Sequence, residues 1–163
     1  CSDKLHAFRA MAEDIKMNKR VTYPCTHVFK QISRHCQLNY PQVEFRFSEQ
    51  IAQGEILADG SLIPAIVNVI NNAGNASSEL QSNQVDIASI ESDGQWQLLI
   101  RDFGRGFKTE QFAQLGSFPL PSDQGFGMAI LLSNASLERL GGKLELTNHK
   151  QGGAQVMMTL PLN

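Results

Sequence analysis

Leu5, Phe8, Met11, Ala12 and Ile15 recur at the spacing of one helical face and predict a helix from Asp3 to about Met17. A second helix is predicted from Cys25 to Leu38, with Val28, Phe29, Ile32 and Cys36 on one side; Thr22 to Pro24 reads as the break between the two. The period then changes to two. Gln42 to Phe47 alternates polar and apolar residues and predicts a strand, and Gly54 to Leu57 a shorter one. The longest apolar run, Leu62 to Ile70, is interrupted by Asn68; it predicts a helix capped by Asp59 or Ser61 and ending near Ser77.

Val85–Ile90 and Trp96–Arg101 flank Asp93-Gly94, a pair that favours positive φ at both turn positions and so predicts a tight hairpin. One short helix is expected over Thr109–Leu115, a Pro-, Ser- and Gly-rich loop over Gly116–Gln124, and a helix over Phe126–Leu140 ended by Gly141-Gly142. Lys143–Asn148 and Gln155–Leu160 form a second hairpin over Gly152-Gly153. Helices interleaved with antiparallel hairpins predict an α+β two-layer sandwich rather than a doubly wound parallel sheet.

Composition narrows the function classes. At 163 residues, 42% hydrophobic and 18% charged, the chain suits one globular domain with an adequate core. A net charge of −2 gives no support to a general nucleic-acid or anionic-membrane surface. Cys1, Cys25 and Cys36 form no C-x-x-C pair and read as reduced thiols of a cytoplasmic domain. No apolar run has the length of a membrane span. The chain shows neither a signal peptide nor an initiator Met and reads as an excised fragment, the full-length protein being free to carry a membrane anchor elsewhere.

Candidate chemistry begins with Asn68 and Asn72, whose spacing of four places both carboxamides on one helical face. Asn competes with backbone hydrogen bonding and is costly inside an apolar helical run. Either the pair caps or bridges backbone locally, or its oxygens serve a hard cation such as Mg²⁺, which takes oxygen ligands and shares them with phosphates. Downstream stand Asp102-Phe103-Gly104-Arg105-Gly106-Phe107 and Gly125-Phe126-Gly127-Met128. The order N-x-x-x-N-A, D-x-G-x-G, G-x-G-hydrophobe resembles the ATP-binding domain shared by sensor histidine kinases, type II topoisomerases, mismatch-repair ATPases and heat-shock chaperone ATPases. The resemblance runs from about Asp59 to Leu162.

That resemblance implies a Bergerat-type fold, a mixed sheet of about five strands with three helices on one face and nucleotide between helices and lid. It implies that Asp102 recognises the adenine amino group, that Gly104 and Gly106 let backbone pass close to the base, and that Mg²⁺ rests on Asn72 with support from Asn68. Gly125, Phe126, Gly127 and Met128 would offer free amides and a helix dipole to phosphate. Phe107 to Gln124 would be the ATP lid, with Phe118-Pro119 packing it onto the core. Lys108, the one Lys or Arg of that stretch, and Arg105 are candidate phosphate contacts, though plain solvated charge is the commoner role of each. Histidine kinases often place Lys or Arg and then Tyr where this chain has Asn75 and Ala76; Asn75 is left to face the phosphates.

Asn68 also separates branches of the resembled family. Topoisomerase, mismatch-repair and chaperone ATPases, and anti-sigma-factor kinases, carry a water-activating Glu there, and an amide cannot act as a general base at neutral pH. The branch implied is the histidine kinases. None of His6, His27, His35 or His149 has the following residues of the family's phospho-acceptor, so the acceptor is expected outside the chain. Residues 1–20 then read as the end of a dimerisation and phosphotransfer helix plus linker, and residues 21–163 as the catalytic ATP-binding domain. The partners implied are ATP, the protein's own dimerisation domain and a response regulator, in a full-length homodimer. Two rivals stay open: a non-catalytic nucleotide-binding or docking module, and a stand-alone ATPase or serine kinase of the same fold.

Overall fold

Alternate residues of the long strands vanish from solvent: Val85, Ile87 and Ser89 on one, Trp96, Leu98 and Ile100 on the next, Val156, Met158 and Leu160 on a third. A period of two that buries one row is the mark of a sheet covered on one face. The computed structural model describes residues 19–109 and 128–163. Within them run β1 (Val21–Pro24), α1 (Cys25–Asn39), β2 (Glu44–Phe47), β3 (Glu55–Ala58), α2 (Leu62–Glu79), β4 (Gln84–Ser92), β5 (Gln95–Asp102), α3 (Met128–Arg139), β6 (Lys143–Asn148) and β7 (Ala154–Pro161).

The main sheet has five strands in the order β2-β4-β5-β7-β6. It is mixed, because β2 pairs with β4 in parallel while the other neighbours are antiparallel. The α+β sandwich read from the pattern is the one observed. Val28, Phe29, Ile32 and Cys36 are the buried side of α1, together with Cys25. From α2, Leu62, Ile66, Val69, Ile70 and Ala73 enter the same core, joined by Ile130 and Leu137 of α3. Each such large side chain contributes about 1.5–3 kcal/mol on leaving water, so this shared layer is what holds helices to sheet. Trp96 sits at its centre with its indole N–H donated to Ser89 Oγ at 2.8 Å. Burial pushes the Cys25 thiol up to about 11 and that of Cys36 up to about 12, leaving both as inert, unpaired core residues.

Several local expectations shift. Thr22–Pro24, read as a break, lies in the strand Val21–Pro24, which pairs antiparallel with β3 in a separate two-stranded ribbon. Pro24 ends that strand and occupies the N-cap position of α1. The strand expected from Gln42 begins at Glu44, and that from Gly54 at Glu55. Helix α2 runs two residues past Ser77. Neither Asp59 nor Ser61 caps it by side chain; Asp59 Oδ1 instead accepts from the Ser61 N–H at 2.9 Å and hydroxyl at 2.6 Å. The Asp93-Gly94 turn has φ of 52° and 72°, the two positive values expected. Gly141, at φ 83°, stops α3, and the Gly142 N–H closes its last turn onto Leu137 O at 2.8 Å. The first predicted helix, the short helix after Thr109, the loop 116–124 and the Phe118-Pro119 contact lie outside the described residues.

Candidate functional site

On one side of α2, Val69, Asn72, Ala73, Asn75, Ala76 and Glu79 form the wall of a cleft. Ile100 and Asp102 of β5 with Ala154 and Val156 of β7 make the floor, Ile130 of α3 closes one side, and Gly106 and Phe107 close the other. The resulting cleft is about 220 Å³. That is below the roughly 300 Å³ at which pockets for whole small ligands begin, so it suits one end of a ligand. Its walls are mostly apolar, with Asn72, Asn75, Glu79 and Asp102 as the polar groups.

Asp102 closes β5, where the pairing that buries Ile100 also buries its own side chain, 7% exposed. Oδ1 accepts the backbone N–H of Gly104 at 2.9 Å and of Ala154 at 3.1 Å. Desolvation raises its pKa above the ordinary carboxylate value, although those two N–H donors and the nearby Arg101 pull the other way. The turn-capping role and the cleft position therefore coexist, one oxygen for each: Oδ1 holds backbone, and Oδ2 accepts no hydrogen bond among the described residues.

The carboxamides of Asn68 and Asn72 neither cap nor bridge backbone, and no hydrogen bond to either exists among the described residues. Both are half-buried on α2. Asn72 lines the cleft; Asn68, one turn earlier, does not. An amide oxygen held at a cleft wall without a protein partner fits the demand of Mg²⁺ for a few protein oxygens alongside phosphate and water. No cluster of three His, Cys, Asp or Glu suited to a metal exists among the described residues. Asn75 lines the cleft and is exposed.

The two glycines of the turn play different parts. A Cβ on Gly104 would lie 2.8 Å from the backbone oxygen of Ala76, so this glycine admits α2 and is not among the cleft walls. Gly106 does line the cleft, at φ 82°. Lys108 and Arg105 are exposed and outside the walls. Met128 opens α3; Gly125, Phe126 and Gly127 lie outside the described residues.

Three contributors were not anticipated. Ser77 Oγ donates to Gln84 O at 2.7 Å and accepts from Phe103 N–H at 3.0 Å, tying the end of α2 to the turn after β5. Asn148 accepts the Phe107 N–H at 2.7 Å and donates to Phe107 O at 3.0 Å, across a sequence separation of 41. Glu79 puts a carboxylate at the cleft mouth. A serine near a helix end and an asparagine at a strand end are ordinary in any sequence, and only spacing within an element could have flagged Glu79, one turn beyond Asn75.

Comparison with known proteins agrees with this layout. FixL, a sensor protein of Bradyrhizobium diazoefficiens, is 28% identical over 122 residues, covering 73% of this chain and 24% of FixL; the chain thus spans about a quarter of that relative. The ATP-binding domain of PrrB from Mycobacterium tuberculosis superposes with a TM-score of 0.70 at 20% identity, covering 90% of this chain and 99% of that one. The nucleotide-free catalytic domain of histidine kinase ThkA superposes with a TM-score of 0.74 at 14% identity, covering 88% and 96%. At such identities the likeness is one of fold. Residues 59–163 match a family profile, and they include α2 with Asn68 and Asn72, the Asp102 turn and the β6–β7 hairpin. On that match the chain belongs to the histidine kinase-, DNA gyrase B- and HSP90-like ATPase family.

Proposed function

We propose that this domain is the catalytic ATP-binding unit of a sensor histidine kinase, handing the γ-phosphoryl group of ATP to a histidine outside residues 1–163, for relay to a response-regulator aspartate. The single observation that carries the reading is the cleft in which Asn72, on α2, and Asp102, closing β5, stand with polar atoms that make no hydrogen bond among the described residues. Asp102 Oδ2 accepts the adenine amino group. The apolar floor of Ile100 and Val156 takes the flat base. Asn72, supported by Asn68, holds Mg²⁺, and Asn75 faces the phosphates. When bound, Mg²⁺ neutralises phosphate charge; the rest of the domain's work is to position the γ-phosphoryl group. The start of α3 at Met128, with Gly125, Phe126 and Gly127 before it, is the proposed phosphate contact, and Lys108 a minor one.

Asn68 supports transfer over hydrolysis, because no general base stands where water activation would need one. Residues 1–20 are proposed as the link to the dimerisation domain, in a homodimer working in the cytoplasm. No helix among the described residues is long and apolar enough to cross a membrane. Calorimetry with Mg²⁺-ATP and a phosphate-release assay test the reading together. Binding with very slow hydrolysis is expected, and phosphorylation should appear once a dimerisation domain carrying the acceptor histidine is supplied. Fast turnover without a histidine substrate would move the chain to the ATPase branch; no nucleotide binding would make it a docking module.

A further inference from the structure

The turn that follows β5 is gripped from outside the cleft. Gly152 and Gly153, both at positive φ, fold the β6–β7 hairpin so that its last residue pair, Asn148 and Ala154, meets residues 102–107. At one end Ala154 N–H reaches Asp102 Oδ1. At the other, Asn148 takes both backbone groups of Phe107, with its Oδ1 on the N–H at 2.7 Å and its Nδ2 on the carbonyl at 3.0 Å. A single carboxamide that accepts from and donates to one residue fixes the position and the direction of that peptide, as a strand partner does. Gly106 is part of the fit, because a Cβ there would lie 2.7 Å from Asn148 Oδ1. Phe107 itself lines the cleft, as Ala76 does, and packs against the core. With a methyl group at position 76, the α2 wall offers no ring for a base to stack on, and Phe107 is the aromatic ring among the cleft walls.

We infer that Asn148 is a positioning residue for nucleotide binding: by clamping the Phe107 backbone it holds the Phe107 ring against the base. The inference rests on the adenine reading of the cleft given above. Asn148 is itself exposed, and its two bonds are made to a solvent-facing turn, so their loss costs the fold little while loosening the ring.

The test is titration of ATP, ADP and adenosine into the parent domain, Asn148→Ala, Phe107→Ala and the double variant, with a melting curve for each. Asn148→Ala is expected to weaken all three ligands by about tenfold, the scale of one net hydrogen bond, since the base and not the phosphates is affected. In the Phe107→Ala background the same change should have no further effect, because the ring it positions is gone. Asn148→Asp, which can accept from the Phe107 N–H but not donate to its carbonyl, should fall between. Unchanged affinity in Asn148→Ala, an equal loss with and without the Phe107 ring, a loss confined to ATP, or unfolding of both Asn148 variants would each overturn the inference. Failure of the parent to bind any adenine ligand would instead remove the adenine reading itself, and this inference with it.

Discussion

Arg139, in the last turn of α3, reaches across 80 residues of sequence to Asp59, the residue that leads into α2. Its guanidinium meets both carboxylate oxygens, at 2.5 and 3.3 Å, and the Ser61 hydroxyl at 2.6 Å. The two helices flanking the cleft are thus fastened at one end by a buried carboxylate and a half-exposed fork of donors.

That pair should be visible in acid. The Arg139 hydrogen bonds hold the Asp59 carboxyl below its ordinary 3.8, at about 2. A depressed folded-state pKa stabilises the fold fully above the unfolded value and loses that effect as pH falls through the folded one. Stability is therefore expected to drop between pH 3.8 and about 2. Arg139→Met should remove about 3 kcal/mol at neutral pH by stranding a buried charge. Without the Arg139 hydrogen bonds the Asp59 pKa rises toward its unfolded value, so the loss of stability in acid should shrink in the variant. Urea unfolding of both proteins across that range measures each effect.

Asn72→Ala tests the metal reading. Its carboxamide makes no hydrogen bond among the described residues, so the melting temperature should stay close to that of the parent. Affinity for nucleotide in the presence of Mg²⁺ should fall by about 1.5–3 kcal/mol, the usual worth of a contact to a charged group. In EDTA the two proteins should bind alike. A melting collapse with metal dependence intact would return this asparagine to a purely structural part.

At Asp102 the two carboxylate oxygens can be separated experimentally. Asp102→Asn can keep its oxygen on the Gly104 and Ala154 N–H groups, so the turn should survive, while the group facing the cleft becomes a donor. Against the adenine amine that exchange is expected to cost on the order of 1–3 kcal/mol. GTP, with a carbonyl at that ring position, should bind the parent poorly and lose less. Competition of ATP and GTP on both proteins decides; equal affinities in the parent would leave Asp102 as a turn residue alone.

Gly104→Ala should destabilise the fold by pressing on Ala76, a residue of the cleft wall. The new Cβ would sit 2.8 Å from Ala76 O and 2.9 Å from its carbonyl carbon, both backbone of α2, which cannot swing aside as a side chain could. A cost of about 1–3 kcal/mol is expected from such overpacking, read by thermal melting. Because Ala76 lines the cleft, binding of ADP to the folded fraction should weaken as well.

What sequence could reveal here divides by the range of the interaction. The buried side of α1 was legible because Val28, Phe29, Ile32 and Cys36 repeat within 3.6 residues per turn, and the Asp93-Gly94 hairpin because its φ values are a local demand. The asparagine pair was legible as an anomaly, two polar amides in an apolar helix. Val21–Pro24 was not, since only Tyr23 of that ribbon strand is even half-buried and no alternation betrays it. Neither Asn148 on Phe107 nor Arg139 on Asp59 leaves a local pattern, because both are contacts made by chain reversal over 41 and 80 residues.

The joint between Asp102 and Ala154 also bears on how the domain opens. β4–β5 and β6–β7 are each closed by a short turn, but β5 meets β7 at Asp102 and Ala154 only across a sequence separation of 52. Closing so long a loop costs chain entropy that neither hairpin recovers alone. The seam between these strands is thus a natural line of partial opening, and the cleft lies across it. A nucleotide seated there acts as a staple between two preformed hairpins. Amide hydrogen exchange along β5 and β7 should slow on binding more than exchange along β4, whose pairing with β5 is secured by a two-residue turn.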